Sequence, residues 1–131
     1  MTGRVPGLSP YWQDYFVCLL FHMLLPLMPL TLEYAFTAGI RPSTAHLTAS
    51  LYAISLGASS RNKLLFALGV MVGFFFAASF GQTVAAELQV GPAPGVLVYP
   101  LAAIVFIFMV HAFERYNRHV VDRTPYWDFR P

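Results

Sequence analysis

The chain has 131 residues, 57% hydrophobic and only 11% charged, with a formal net charge of +2. Soluble domains carry about 25% charged residues, so this composition, with a mean hydropathy of +0.59, excludes an ordinary soluble globular protein and indicates one membrane-embedded domain over residues 1–131. The single cysteine, Cys18, excludes an internal disulfide framework, and Arg4, the only charge before Asp14, gives no basic region of the kind that opens a cleavable signal peptide.

A bilayer crossing needs about 20 mainly apolar residues. Four segments approach this, and the expected fold is an all-α integral membrane protein, a four-transmembrane-helix bundle with helices over about 10–38, 43–60, 63–86 and 96–123. The first begins at Ser9-Pro10, a cap followed by proline at the first helical position. Inside it lies FHMLLPLMPLTLEY, an apolar run holding His22, Pro26, Pro29 and Glu33. At 100° per residue these four share a stripe about 80° wide with Tyr11, Tyr15 and Cys18. Neither Pro26 nor Pro29 can donate to the carbonyl one turn back, so the helix should kink there and leave the carbonyls of His22 and Leu25 free. In lipid such groups must find partners. Cys18, His22, Pro26, Pro29 and Glu33 therefore form a candidate intramembrane polar site, with His22 about 10 Å from the nearer boundary.

The second segment is rich in hydroxyls and alanine. Thr44, Thr48, Ser55 and Ser59 fall on one face, which favours a central place in the bundle. Its small residues Ala49, Ala53 and Gly57 match a second small stripe on the third segment, Gly69, Gly73, Ala77 and Gly81, spaced every four residues. Small residues in register let helix backbones approach closely. They predict either a tight hairpin of the second and third helices or a self-association face.

The fourth segment runs on into HAFERYNRHVVDRTPYWDFRP. Glu114, Arg118 and Asp122 at i, i+4 and i+8 predict supporting ion pairs on a helix that extends about two turns into the cytoplasm. Thr124-Pro125 ends it. Arg115, Arg118, His119, Arg123 and Trp127 are candidate contacts for a cytoplasmic partner or for anionic lipid heads. The SPYW at Ser9 recurs as TPYW at Thr124, placing both tryptophans at one interface.

Charge placement orients the bundle. With four crossings, Arg4, Arg61, Lys63, Arg115, Arg118, Arg123 and Arg130 lie on one side and only Arg41, with Glu33 and Glu87, on the other. The positive-inside rule then puts both termini in the cytoplasm, with a bacterial inner membrane as the expected location.

No P-loop, GxGxxG, GxSxG or HExxH occurs. His22, His46, His111 and His119 offer no pair at matching depth for haem. Cys18 and His22 at i and i+4 are two ligands, too few for a zinc site. Catalytic, cofactor and metal residues are thus expected to be absent, and acids nearly balance bases in the tail, which disfavours nucleic acid. The expected function is a non-enzymatic membrane subunit that forms homo-oligomers or docks a protein partner on its cytoplasmic side, serving a respiratory, secretion or antiphage-defence assembly. The alternative is a channel, transporter or membrane-permeabilising pore along the kinked first helix.

Overall fold

A computed structural model describes residues 7–91 and 96–126. Short connections aside, the described residues are helical, in four rods: α1 (Pro10–Thr37), α2 (Pro42–Ala58), α3 (Lys63–Val90) and α4 (Val98–Val121). Three of them, α1, α3 and α4, are long and apolar enough to cross a membrane. At about 1.5 Å per residue, α2 reaches only about 25 Å, less than a typical hydrocarbon core of about 30 Å. Of its 17 residues 11 are buried, so the other rods shield most of it; of the expected hydroxyl face Thr48 is buried, Thr44 and Ser59 are half-buried, and Ser55 is exposed.

Successive rods alternate in direction. At one end the start of α1, the end of α2 and the end of α4 meet: Tyr15 Oη donates to the Ala112 carbonyl at 3.4 Å, and Ser60 Oγ donates to Glu114 at 2.6 Å. Trp12, Tyr15 and Tyr116 stack there with centroids 5.9 Å apart, and Arg123 lies 5.5 Å from the Tyr11 ring centroid. At the opposite end Glu33 of α1 accepts from Thr44 Oγ1 at 3.1 Å, and Glu87 of α3 accepts from Ser43 N and Oγ at 2.8 and 2.7 Å. The start of α2 has no capping side chain of its own at Arg41; Glu87 supplies that cap from another helix. A carboxylate at a helix N-terminus also meets the positive end of its dipole.

Helices α2 and α3 form the tight hairpin that their small stripes predict. A Cβ placed on Gly57 would lie 2.9 Å from Gly69 Cα, and one on Gly69 would lie 2.5 Å from the Ala53 carbonyl oxygen. That approach lets Ser50 Oγ donate to the Gly73 carbonyl at 2.8 Å. Ala49 and Ala53 are buried in this seam. The far half of the α3 stripe takes no part: Ala77 and Gly81 are exposed, and nothing among the described residues lies within 4 Å of a Cβ at Gly81.

Helix α1 departs most from the sequence-based expectation. Its ladder widens to a π-turn over Cys18–Leu24, tightens to a 3-10 turn over Leu25–Leu27, and resumes as α-helix from Met28. Leu25 N–H donates five residues back to Leu20, and Met28 N–H donates three back to Leu25. The expected free carbonyl at Leu25 is therefore satisfied. The cause is Pro26, whose ring would strike the His22 carbonyl in a regular helix; a wider turn absorbs that clash by adding a residue to the turn. The extra residue turns the stripe. The buried positions become Cys18, Met23 and Leu30, while Pro29 is exposed and Pro26 and Glu33 are half-buried. The single polar stripe from Cys18 to Glu33 is thus corrected to two separate polar ends.

Between those ends lies an apolar layer. Met23, Leu30, Ala45, Tyr52, Leu56, Phe76, Ile104 and Ile107 pack into one core.

Candidate functional site

On α4 the residues facing the core recur every three or four positions: Pro100, Ile104, Ile107, His111 and Arg115 are buried. The same face continues to His119. The arginine and histidine expected to project toward a cytoplasmic partner instead turn inward. Arg115 is 3% exposed and His119 1% exposed, because α4 follows α1 to its end rather than leaving the bundle. Its last turn, Asn117–Val121, opens into a π-turn packed against the start of α1. The register change also breaks the expected ladder. Among the described residues Glu114 meets His111 Nδ1 at 3.2 Å, an ion pair only when the imidazole is protonated, rather than Arg118 in a Glu114–Arg118–Asp122 ladder. Arg123 is exposed, and Trp127 lies outside the described residues.

These inward-turned groups line a half-open cavity of about 240 Å³, formed by Cys18 and His22 of α1, Ser59 after α2, Arg115, Arg118 and His119 of α4, and Tyr126. The structure therefore joins residues that the sequence divides between an intramembrane site and a cytoplasmic surface. Pro26, Pro29 and Glu33 do not reach it.

The lining is dominated by donors and positive charge. Arg115 Nη2 donates to the Ser59 carbonyl at 2.9 Å and to Ser59 Oγ at 2.6 Å, while Ser59 Oγ donates to the Leu56 carbonyl at 2.8 Å. This clamp ties α4 to the α2–α3 turn and fixes the guanidinium. His119 Nδ1 lies 2.8 Å from the Thr124 carbonyl. A carbonyl only accepts, so Nδ1 carries the proton and Nε2 is left for a further partner. Tyr126 stacks near His119 with centroids 6.1 Å apart, and burial pushes its phenol above the ordinary range, which keeps it an O–H donor at neutral pH.

Four polar atoms of this lining are buried without a hydrogen bond to the described residues: His22 Nε2, Arg115 Nε, Arg118 Nε and His119 Nε2. A buried unsatisfied polar group costs about 1–3 kcal/mol, and these four belong to residues that line one cavity. Among the described residues no carboxylate lines it. Glu114, the nearest acid in sequence, faces the α2–α3 turn, where it accepts from Ser60 Oγ, from Arg61 N at 3.0 Å and from His111 Nδ1. Among the described residues no three His, Cys, Asp or Glu side chains are grouped to hold a metal ion. Two guanidiniums line it, and Glu114 and Asp14, close enough to act on Arg115, Arg118 and His119, do not, so the lining itself is net basic and suits an anion.

Ser59, Tyr126 and the inward course of Arg115 lie outside the site expected from sequence. For the arginine a signal exists. His111, Arg115 and His119 at i, i+4 and i+8 prolong the Ile104–Ile107 core face without a break, a pattern that places them inside rather than on a projecting arm. Tyr126 lies beyond a proline and has no local signal. Comparison of the chain with protein-family models, curated proteins and solved structures finds no match.

Proposed function

We propose that this is a non-enzymatic, four-crossing membrane protein, with both termini cytoplasmic, that binds an anionic ligand in the basic cavity where its termini meet. The carrying observation is two guanidiniums on one cavity: Arg115, 3% exposed and clamped by Ser59, beside Arg118, with Glu114 acting on both from outside the lining. A buried cation is stable only when paired and hydrogen-bonded. The alternation of the rods and the concentration of Arg61, Lys63, Arg115, Arg118 and Arg123 at the cavity end support the cytoplasmic assignment, which in a bacterium means the inner membrane.

The apolar layer of Met23, Leu30, Tyr52, Leu56 and Ile107 lies between this cavity and the Glu33–Thr44 end. It argues against a polar path through one protomer, and so against the channel reading. Assembly into a homo-oligomer keeps one support, the outward Ala77 and Gly81 of α3, which offer a second copy the same close approach that Gly69 offers α2.

Ligand binding to the folded state raises stability by about 2.7 kcal/mol at a hundredfold excess over Kd. Thermal unfolding of the detergent-solubilised protein should therefore shift upward in phosphate relative to chloride at equal ionic strength, and the shift should vanish in Arg118→Gln. Identical midpoints in the two salts across a full titration, with no stabilisation by an anionic lipid either, overturn the anion reading.

A further inference from the structure

Building on that reading, we propose that the anion is the phosphate ester of an anionic membrane lipid, held with its phosphate in the cavity of Cys18, His22, Ser59, Arg115, Arg118 and His119. The first ground is chemistry. Arg115 and Arg118 each present an unpaired Nε, His22 and His119 each an unpaired Nε2, all buried. Guanidinium forks match the oxygen geometry of phosphate. With His119 Nδ1–H committed to Thr124, its Nε2 can accept from a protonated phosphate oxygen or, once protonated, donate to an ionised one. Both charge states of a phosphate monoester such as phosphatidic acid are accommodated, and a diester such as phosphatidylglycerol is held through the guanidiniums.

The second ground is size. A cavity of about 240 Å³ far exceeds the roughly 30 Å³ share of one water, so it has room for the phosphate and for part of the group esterified to it. A bare inorganic ion would leave much of the lining unfilled.

The third ground is place. The cavity lies at the level of the Trp12–Tyr15–Tyr116 ring cluster, the kind of aromatic belt that settles at the headgroup region. Basic pockets between helices on the cytoplasmic side are suited to anionic headgroups. The helix pair α1 and α4 also lines an apolar crevice of about 500 Å³, among Tyr15, Leu19, Phe108, Ala112 and Phe113. An acyl chain therefore has an apolar seat on the same two helices that supply five of the cavity's side chains.

The chain should be purified in a neutral detergent, stripped of lipid, and titrated separately with phosphatidic acid, phosphatidylglycerol, phosphatidylcholine and inorganic phosphate. Bound lipid is counted by native mass spectrometry and thermal unfolding is followed in parallel. The expected result is at least tenfold tighter binding of the two anionic lipids than of phosphatidylcholine, with inorganic phosphate weaker than either. Arg118→Gln should weaken the anionic lipids tenfold or more. Arg123→Gln, which removes an exposed cation at the same interface but outside the cavity, should change nothing; an equal loss in both variants overturns the cavity assignment in favour of surface charge. If Arg115→Gln fails to fold because the Ser59 clamp is lost, Arg118→Gln and His22→Gln still decide. Binding of inorganic phosphate with no preference for anionic lipid overturns this inference and leaves the anion reading standing. Binding of no anion at all overturns both.

Discussion

The α2–α3 seam yields a test in which one substitution gives opposite results at two places on one helix. An alanine Cβ at residue 69 would stand 2.5 Å from the Ala53 carbonyl oxygen and 2.7 Å from Gly57 Cα, whereas ordinary contact begins at 3.4 Å. Both obstacles are backbone, so relief requires the helices themselves to separate. Overpacking of this kind costs about 1–3 kcal/mol. Separation also stretches the Ser50–Gly73 hydrogen bond, worth about 0.5–1.5 kcal/mol. Against this stands a gain of up to about 1 kcal/mol from replacing a helical glycine by alanine. With that gain taken in full, Gly69→Ala should destabilise by about 0.5–3.5 kcal/mol. Gly81→Ala meets nothing within 4 Å and should keep only the propensity gain, making it neutral or up to about 1 kcal/mol more stable. Gly73→Ala should destabilise comparably, because its Cβ would strike Cγ1 of Ile54, a β-branched side chain that is stiff at χ1, and would stand 3.1 Å from the Ser50 carbonyl oxygen. Cys18 provides the readout: it is the one cysteine in the chain and 1% exposed, so its reaction with a maleimide reports unfolding. Titration with a denaturing detergent, followed by a labelling pulse, gives the midpoints. Equal midpoints for Gly69→Ala and Gly81→Ala would refute the close approach of α2 and α3.

Three other substitutions probe the two polar ends. Glu87→Ala removes the cap that Ser43 N and Oγ both use; loss of an N-cap costs about 0.5–2 kcal/mol, read as earlier amide exchange at the start of α2 by mass spectrometry. Glu114→Gln weakens the charge-assisted contacts to Ser60, Arg61 N and His111 and should lower stability by about 1–3 kcal/mol in the same labelling assay, without reducing phosphate binding, since Glu114 does not line the cavity. Pro29→Ala, at an exposed position just inside α-helix, should change the midpoint by less than about 1 kcal/mol, as a surface substitution free of buried contacts does.

What could be read from sequence divides along a physical line. The hairpin was legible because Gly57, Gly69 and Gly73 act through spacing within one helix, and four-residue spacing survives wherever the helix is regular. The central place of α2 was legible in part: of Thr44, Thr48, Ser55 and Ser59, Thr48 is buried and Thr44 and Ser59 are half-buried, but Ser55 is exposed. The Glu87 cap was not, because it joins residues 44 apart in sequence and no local pattern marks the acceptor. The tail misleads on a different ground. Glu114, Arg118 and Asp122 do have ion-pair spacing, but surface pairs on a helix stabilise by only about 0.2–0.5 kcal/mol. Ser60 Oγ and the Arg61 amide offer Glu114 a partly buried pair of donors instead, and the stronger interaction determines the direction in which α4 faces.

The run FHMLLPLMPLTLEY defeats a helical projection for a related reason. A helical wheel holds only while every turn has the same number of residues, and Pro26 forbids that. The π-turn placed before it keeps Cys18 and His22 on the cavity side while Met23 and Leu30 move into the core. A regular helix would have carried the polar stripe from His22 through Pro29 to Glu33 and left a seam of freed carbonyls across the bundle. The slip interrupts that seam with apolar side chains, so the groups at one end cannot share water with those at the other. Pro26→Ala removes the clash that requires the wide turn. If α1 then returns to regular helix, Met23 leaves the core and the Cys18–His22 pair rotates relative to Arg115 and His119. The expected outcome is a loss of phosphate binding of tenfold or more, together with faster labelling of Cys18. Unchanged binding and labelling would show that packing against α4, rather than the proline, holds the π-turn, and Pro26 would lose its place as the cause of the slip in α1.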